Sequence, residues 1–298
     1  KKSGIDVKPV RGPFVPEREI KSRPEVHALE NAIRISEIGM TRGIEVLRAS
    51  KILKDGSLSF NGTHLTSELL RIEMETAVVR AGGEARGDTI VAGGQQACDP
   101  HHRGTGQLFA DQLIILDIFP RDIRSCFHGD ITRTVVRGRA SEEQRRLWNT
   151  CLEGQKLALD AIKPGVEGRI IHNMVKKFFA DQGYPTEIKN GRWQGFFHGT
   201  GHGLGLDIHE APQIMRGNRQ LLEPGMVFTV EPWQGYGYGD ESSKDVLAGG
   251  KRHGKTMTWG DMHHPALSET KGEYDGEFKC VGKEKIDGKL APMRELLK

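Results

Sequence analysis

Apolar positions recur at helical spacing in four stretches of the chain and form short unbroken runs in several others. From Pro24 onward, Val26, Leu29, Ile33, Met40, Ile44 and Leu47 predict an amphipathic helix, with Pro24 in its first turn. Thr66 stands where a helix cap would, ahead of Leu69, Leu70, Ile72, Ala77 and Val78, and Gly82-Gly83 stops that segment. Two strand-like runs follow, 89–92 and 113–119, and then a third, 131–136.

The order then restarts. Ser141 and Gln144 form a capping box for a long helix that ends before Pro164-Gly165. A further amphipathic helix carrying Ile171, Met174, Val175, Phe178 and Phe179 ends at Gly183, and strand-like segments follow near Phe196 and at 226–230. Helices then strands, twice over, predict an α+β fold made by internal duplication, and a site between the halves would draw residues from both. Pro9, Pro13 and Pro16 make residues 1–20 an extended lead-in. Beyond Trp233 glycine, lysine and histidine abound without a helical or alternating pattern, so 233–298 reads as a tail to which no structure is assigned.

Composition narrows the picture little. A chain of 298 residues can form one large or two small domains with a real core. The formal charge of +3 is small and scattered, which argues against a nucleic-acid partner. The apolar run "LIILDIF" is far too short to span a membrane and is broken by Asp117, and no signal peptide is expected. The cysteines Cys98, Cys126, Cys151 and Cys280 lack CxxC spacing, which leaves a reducing, cytoplasmic setting as the expectation. Lys1 in place of an initiating methionine leads to the expectation of a processed or partial chain.

Acidic residues sit where strands should be buried. Asp117 interrupts an apolar run, where a carboxylate is costly unless paired or metal-bound. Asp130 opens the next strand in "GDITRT", so a hairpin would set the two carboxylates side by side, and like charges so close need a cation or a shared proton. The plainer alternative has Asp130 capping a turn and Asp117 pairing with Arg133. Glu231 follows "GMVFTV" at another strand end, and His101 lies in the loop "DPHHRG" beside a His102 that would merely be solvated. The segment "FFHGTGHGLGLDIHE" adds His198, His202 and His209. Its glycines each cost roughly 1 kcal/mol in a helix, and in an extended strand His198 and His202 would share a face. Oxygen-rich ligands with an imidazole suit Mn²⁺, Co²⁺ or Zn²⁺, typically in carboxylate-bridged pairs.

Two other motifs compete and rank lower. "HEAPQ" begins like HExxH but has Gln213 where the second histidine belongs. "GGKRHGKT" matches the phosphate-loop pattern, but Gly260 and Pro265 occupy the segment that should continue as a helix.

The stretches "TIVAGGQQACDPHHRG", "ILDIFPR", "GDITRTVVRG", "FFHGTGHGLGLDIHE" and "LEPGMVFTVEP", in this order, resemble the pita-bread metallopeptidases: Xaa-Pro aminopeptidases, prolidases and methionine aminopeptidases. The resemblance covers roughly residues 15–232, and "DIFPR" with "HGTGHGLGLDIHE" looks most like the Xaa-Pro branch. It implies a pseudo-twofold α+β catalytic domain over 21–232, and the N-terminal domain that usually precedes it in the family is expected to be absent here. It implies two divalent ions (Mn, Co or Zn), with Asp117 on one, Asp130 bridging both, and His202 and Glu231 on the second. By the same resemblance His209 and His101 would bond the substrate and the tetrahedral intermediate, His198 would line the proline side of the pocket, and Glu231 would take the proton of the attacking water. The family closes on a strand resembling "GGVRIEDVV", whose glutamate bridges the metals. Here the region reads "GYGYGDESSKDVLAGG", with Asp245 as the nearest stand-in and a weak second metal as the consequence. The expected partner is a peptide with proline at its second position, with a homodimer left open and neither nucleic acid nor membrane. The alternative is a non-catalytic or impaired relative that binds peptides or proteins.

Overall fold

The helix expected from Pro24 runs from Arg23 to Ala49 (α1), and the Glu25 carboxylate reaches back to accept from the Ser22 amide at 2.7 Å. The computed structural model describes residues 15–189 and 191–235, and beyond them the backbone of three short strands. Strands Lys51–Ile52 (β1), Leu58–Phe60 (β2) and Thr63–His64 (β3) form a small antiparallel sheet before the helix Ser67–Arg80 (α2). Thr66 Oγ1 accepts from the Leu69 amide at 3.2 Å, as its place in the sequence requires. The buried face of α2 is Leu70, Met74 and Val78, whereas Ile72 is 60% exposed. Apolar residues occur on several sides of this helix, so spacing alone assigned Ile72 to the wrong one.

The strands Gly83–Glu84 (β4) and Arg121–Asp122 (β7) form a separate antiparallel pair, and Ile90–Gly93 (β5), Leu113–Ile118 (β6) and Ile131–Val136 (β8) form a three-stranded sheet. This sheet is antiparallel in the order β5-β6-β8, with Asp117 opposite Thr132 and Ile118 opposite Ile131. Its apolar face joins α1 and α2 in one core that includes Leu29, Met40, Leu70, Met74, Leu116 and Ile118.

The second half repeats the plan. Ser141 and Gln144 complete their reciprocal capping box at the start of Glu142–Ala161 (α3), and Gly168–Asp181 (α4) packs against it. The strands Glu187–Lys189 (β9) and Arg192–Gln194 (β10) form a hairpin. They are followed by Gly201–Gly203 (β11), Glu210–Ile214 (β12) and Phe228–Val230 (β13). The second core gathers Cys151, Ala158, Ile171, Val175, Phe179, Phe196 and Phe228. Complete burial of a side chain such as Phe179 contributes about 2–3 kcal/mol.

Beyond residue 232 the structure adds strands to the second half. Trp233–Gln234 (β14) pairs with Thr256–Met257 (β15), while Asp261–His264 (β16) and Lys279–Cys280 (β17) extend the second sheet in the order β12-β11-β13-β16-β17. The fold is thus the duplicated α+β arrangement that the order of elements implied. Among the described residues no helix is long and apolar enough to cross a membrane.

Candidate metal centre

Three strands converge between the halves. His202 comes from β11, Asp130 immediately precedes β8 and Glu231 immediately follows β13. One ligand atom from each lies within 4.8 Å of the other two. His202 Nε2 stands 3.0 Å from Glu231 Oε1 and 3.5 Å from Asp130 Oδ2. The His202 Nδ1 lies 3.0 Å from the Gly203 carbonyl oxygen, a bond that places a proton on Nδ1 and turns Nε2 toward the carboxylates.

Asp117 lies beside this trio without joining its tightest set. Asp130 and Thr132 share a strand face, and Asp117 faces Thr132, so the two aspartates are diagonal neighbours. Thr132 Oγ1 donates to Asp117 Oδ1 at 2.6 Å. Arg133, the partner weighed for Asp117 in the plainer reading, has the opposite parity and lies near Glu37, whose charged form it favours.

The electrostatics are those of crowded anions. Burial pushes the Asp130 carboxyl well up, and Glu231 and Asp117 push it in the same direction. Burial alone would lower His202, but Glu231 and Asp130 overcome it and carry the imidazole up to about 9. Burial opposes the charged form of Glu231, yet facing His202, nearby His198 and the Thr229 hydroxyl hold it below the usual carboxylate range. Two carboxylates and one imidazole nitrogen, whose proton a cation would displace, with a further carboxylate adjacent, are donors that fit a divalent cation.

The remaining candidates occupy the rim. His209 stands in the bend before β12 with its ring 4.3 Å from that of His202, edge to face. Partial burial and the neighbouring His202, His101 and His128 disfavour its charged form, against a pull from Glu231. His101 is exposed, and its amide donates to Asp99 Oδ1 at 2.9 Å. His102 is more than solvated: its Nδ1 accepts from the Gly104 amide at 3.0 Å and braces the loop. Residues 196–200 are not strand, so the shared parity expected of His198 and His202 does not hold. The chain bends at Phe196, His198 and Thr200, and His198 instead packs its ring on Trp233 at 5.1 Å and Phe196 at 5.5 Å. Asp245 and the "GGKRHGKT" stretch up to residue 255 lie outside the described residues. "HEAPQ" enters strand β12, not the helix that HExxH needs.

The glycines around His202 admit backbone rather than substrate alone. A Cβ on Gly201 would come within 1.8 Å of the Thr229 carbonyl oxygen, and one on Gly203 within 2.1 Å of that of Ala211. Only glycine lets β11 sit so tightly between β12 and β13.

Threonines that the sequence reading passed over hold the acids. Thr229 Oγ1 donates to Glu231 Oε1 at 3.0 Å and accepts from the His202 amide at 3.1 Å. Thr229 stands two residues from the acid it holds, in "TVE", and that spacing was the available signal; Thr132 holds Asp117 across the strand pair, which no local spacing marks. Behind them Thr200 accepts from the Glu231 amide through its carbonyl at 2.7 Å and meets His172 Nδ1 through its hydroxyl at 3.1 Å. Gln155 Nε2 donates to the Val230 carbonyl at 2.9 Å.

Residues 27–262 match metallopeptidase family M24, and the chain belongs to that family. It is 29% identical to the Xaa-Pro dipeptidase of Pyrococcus furiosus over 217 residues, covering 72% of this chain and 56% of that protein. It is 30% identical to an uncharacterised peptidase of Staphylococcus aureus, over 72% of this chain and 55% of the other. The fold is similar to the prolidase from Pyrococcus furiosus, with a TM-score of 0.68 at 25% identity, over 90% of this chain and 66% of that one. It is also similar to the X-Pro aminopeptidase from Thermotoga maritima, with a TM-score of 0.66 at 26% identity, over 83% and 60% of the two chains. The chain spans about half the length of the curated relatives it matches.

Proposed function

We propose that this chain is a metal-dependent peptidase that removes the N-terminal residue from peptides or dipeptides with proline at the second position. The observation that carries the reading is the buried convergence of Asp130, His202 and Glu231 from three separate strands. Asp117, Asp130, His202 and Glu231, with Asp245 from the tail, would hold two divalent cations (Mn²⁺, Co²⁺ or Zn²⁺). Such ions supply a water ionised near neutral pH and a polarised scissile carbonyl.

The chain's own residues perform the rest. Glu231, its Oε1 engaged by Thr229, accepts the water's proton. His209 donates from its ring to the developing oxyanion, with His101 beside it on the rim. His198, backed by Trp233 and Phe196, forms the wall against which the proline ring packs. The catalytic unit is taken as 21–232, with 1–20 as lead-in and 233–298 as tail. The compartment proposed is the cytoplasm.

The test is release of free Xaa from Xaa-Pro and Xaa-Pro-peptide substrates across Mn²⁺, Co²⁺ and Zn²⁺. Turnover that depends on metal and requires proline supports the reading. Equal activity in excess chelator refutes it, and metal binding with no turnover leaves a peptide-binding relative.

A further inference from the structure

An ion cluster with a buried Lys21–Glu210 pair at its centre lies behind the His209 bend, outside the residues assigned so far. The side chain of Lys21 is only 1% exposed and that of Glu210 only 10%, and Lys21 Nζ meets Glu210 Oε1 at 2.5 Å. Arg18 Nη2 meets Glu210 Oε2 at 2.5 Å and Asp207 Oδ2 at 2.9 Å. Lys21 Nζ also donates to the Arg18 carbonyl. Burying an ammonium costs several kcal/mol unless it is well paired, so the place where a chain does this carries information.

The anion at the centre of this cluster adjoins His209 in the chain, and it organises the bend. The Glu210 carboxylate receives the Asp207 amide at 3.4 Å. It fills the space where a Cβ on Gly205 would lie, 2.4 Å from Oε1. The Gly205 amide in turn donates to the Asp207 carbonyl at 3.1 Å, and the His128 amide donates to the Gly205 carbonyl at 2.9 Å. The far side is anchored as well: the Lys21 amide donates to the Gly225 carbonyl at 2.8 Å, and Ile20 bridges Met226. The lead-in is therefore tied across the second half just behind the bend.

We infer that Lys21 and Arg18 are positioning residues that act through Glu210 to hold the 205–209 bend, and so the ring of His209, over the metal centre. The inference rests on the proposed peptidase reading for its catalytic consequence, and on geometry alone for the clamp. It ties the segment before α1 to the catalytic unit functionally as well as by contact.

The test uses wild type, Lys21→Met, Arg18→Gln and Glu210→Gln, with Lys21→Met repeated in a His209→Ala background. Amide hydrogen exchange is followed over residues 204–210, together with metal content and steady-state kinetics on Xaa-Pro substrates. In Lys21→Met, exchange at the Asp207 amide should quicken and kcat should fall on the order of tenfold, with KM and metal content unchanged. In the His209→Ala background the same change should cost nothing further, because the two residues act along one line. A kcat loss of equal size in both backgrounds, or unchanged exchange, overturns the inference. Should Lys21→Met fail to fold, the partly exposed Arg18→Gln carries the test with the same signs. If wild type hydrolyses no Xaa-Pro substrate, the proposed function fails on its own, and the exchange data alone decide the clamp: faster exchange sustains it and unchanged exchange ends it.

Discussion

The two halves hold their candidate ligands by different means. In the first half, β6 and β8 pair over six consecutive residues, with Asp117 inside that long regular ladder and Asp130 immediately before it. In the second half, β11 and β13 have three residues each and pair through Gly203 and Phe228, while the ladder of β11 with β12 shifts register beside His202. Side-chain hydrogen bonds replace the missing ladder there: Thr229 ties His202 to Glu231, Thr200 ties Glu231 to His172, and Gln155 caps Val230. A duplicated fold can thus give one half regularity and the other a polar network. The network half is the one that admits an imidazole, glycines and a mobile-proton donor close together.

The comparison breaks most severely at Asp130, which faces both halves. Asp130→Ala should remove metal binding and lower turnover by at least about 10³-fold, measured by metal analysis beside kinetics. If metal content survives, the two halves do not share that ligand. A smaller effect is expected at the rim, where His209→Ala should leave metal content unchanged and lower kcat by about 10²–10³-fold. Metal loss in that variant would place His209 among the ligands.

Smaller again, and aimed at the contrast itself, are two isosteric changes. Thr229→Val removes hydrogen bonds to both His202 and Glu231, whereas Thr132→Val removes one to an aspartate that the ladder already orients. Metal affinity should fall about 10–100-fold in Thr229→Val and clearly less in Thr132→Val. Competition with a chelating dye reads both, and equal losses would erase the distinction between pleat and network.

The same contrast explains what the sequence disclosed. Helix caps at Thr66 and Ser141 and the acids at strand ends obey local rules, so the repeated plan and the carboxylates of Asp117, Asp130 and Glu231 could be read directly. Interactions closed by the tertiary fold could not be read. Lys21 and Glu210 meet across 189 residues, and nothing local to either marks the pairing. His172 sits on an apolar helix face as any core residue would, and its partner Thr200 lies in a segment whose glycines hide its conformation. Ile72 fails for the opposite reason: its pattern was locally sound, but the helix has more apolar residues than the core can accept.

His172 also offers the mildest probe of the network. It is buried beneath Phe196, with ring centroids 5.0 Å apart, and burial lowers its pKa to about 4, with Lys176 and Arg216 adding to the effect. Unfolded, the imidazole titrates near 6.5. Between these values the unfolded chain binds a proton that the folded chain refuses, so stability must rise with pH through that window and fall as pH drops from 6.5 toward 4. The difference between pH 7 and pH 5 should be about 1–2 kcal/mol. The cluster at His202 also titrates, so the measurement is a comparison: denaturant unfolding of metal-free wild type and His172→Asn at both pH values. Asparagine keeps a polar atom toward Thr200 but cannot take up the proton. The variant should be less stable at pH 7 because it packs poorly on Phe196, yet it should lose less on going to pH 5. Parallel losses in the two proteins would mean that His172 is protonated in the folded state. The second half would then tolerate a buried cation behind Glu231 where the geometry has only a neutral hydrogen bond.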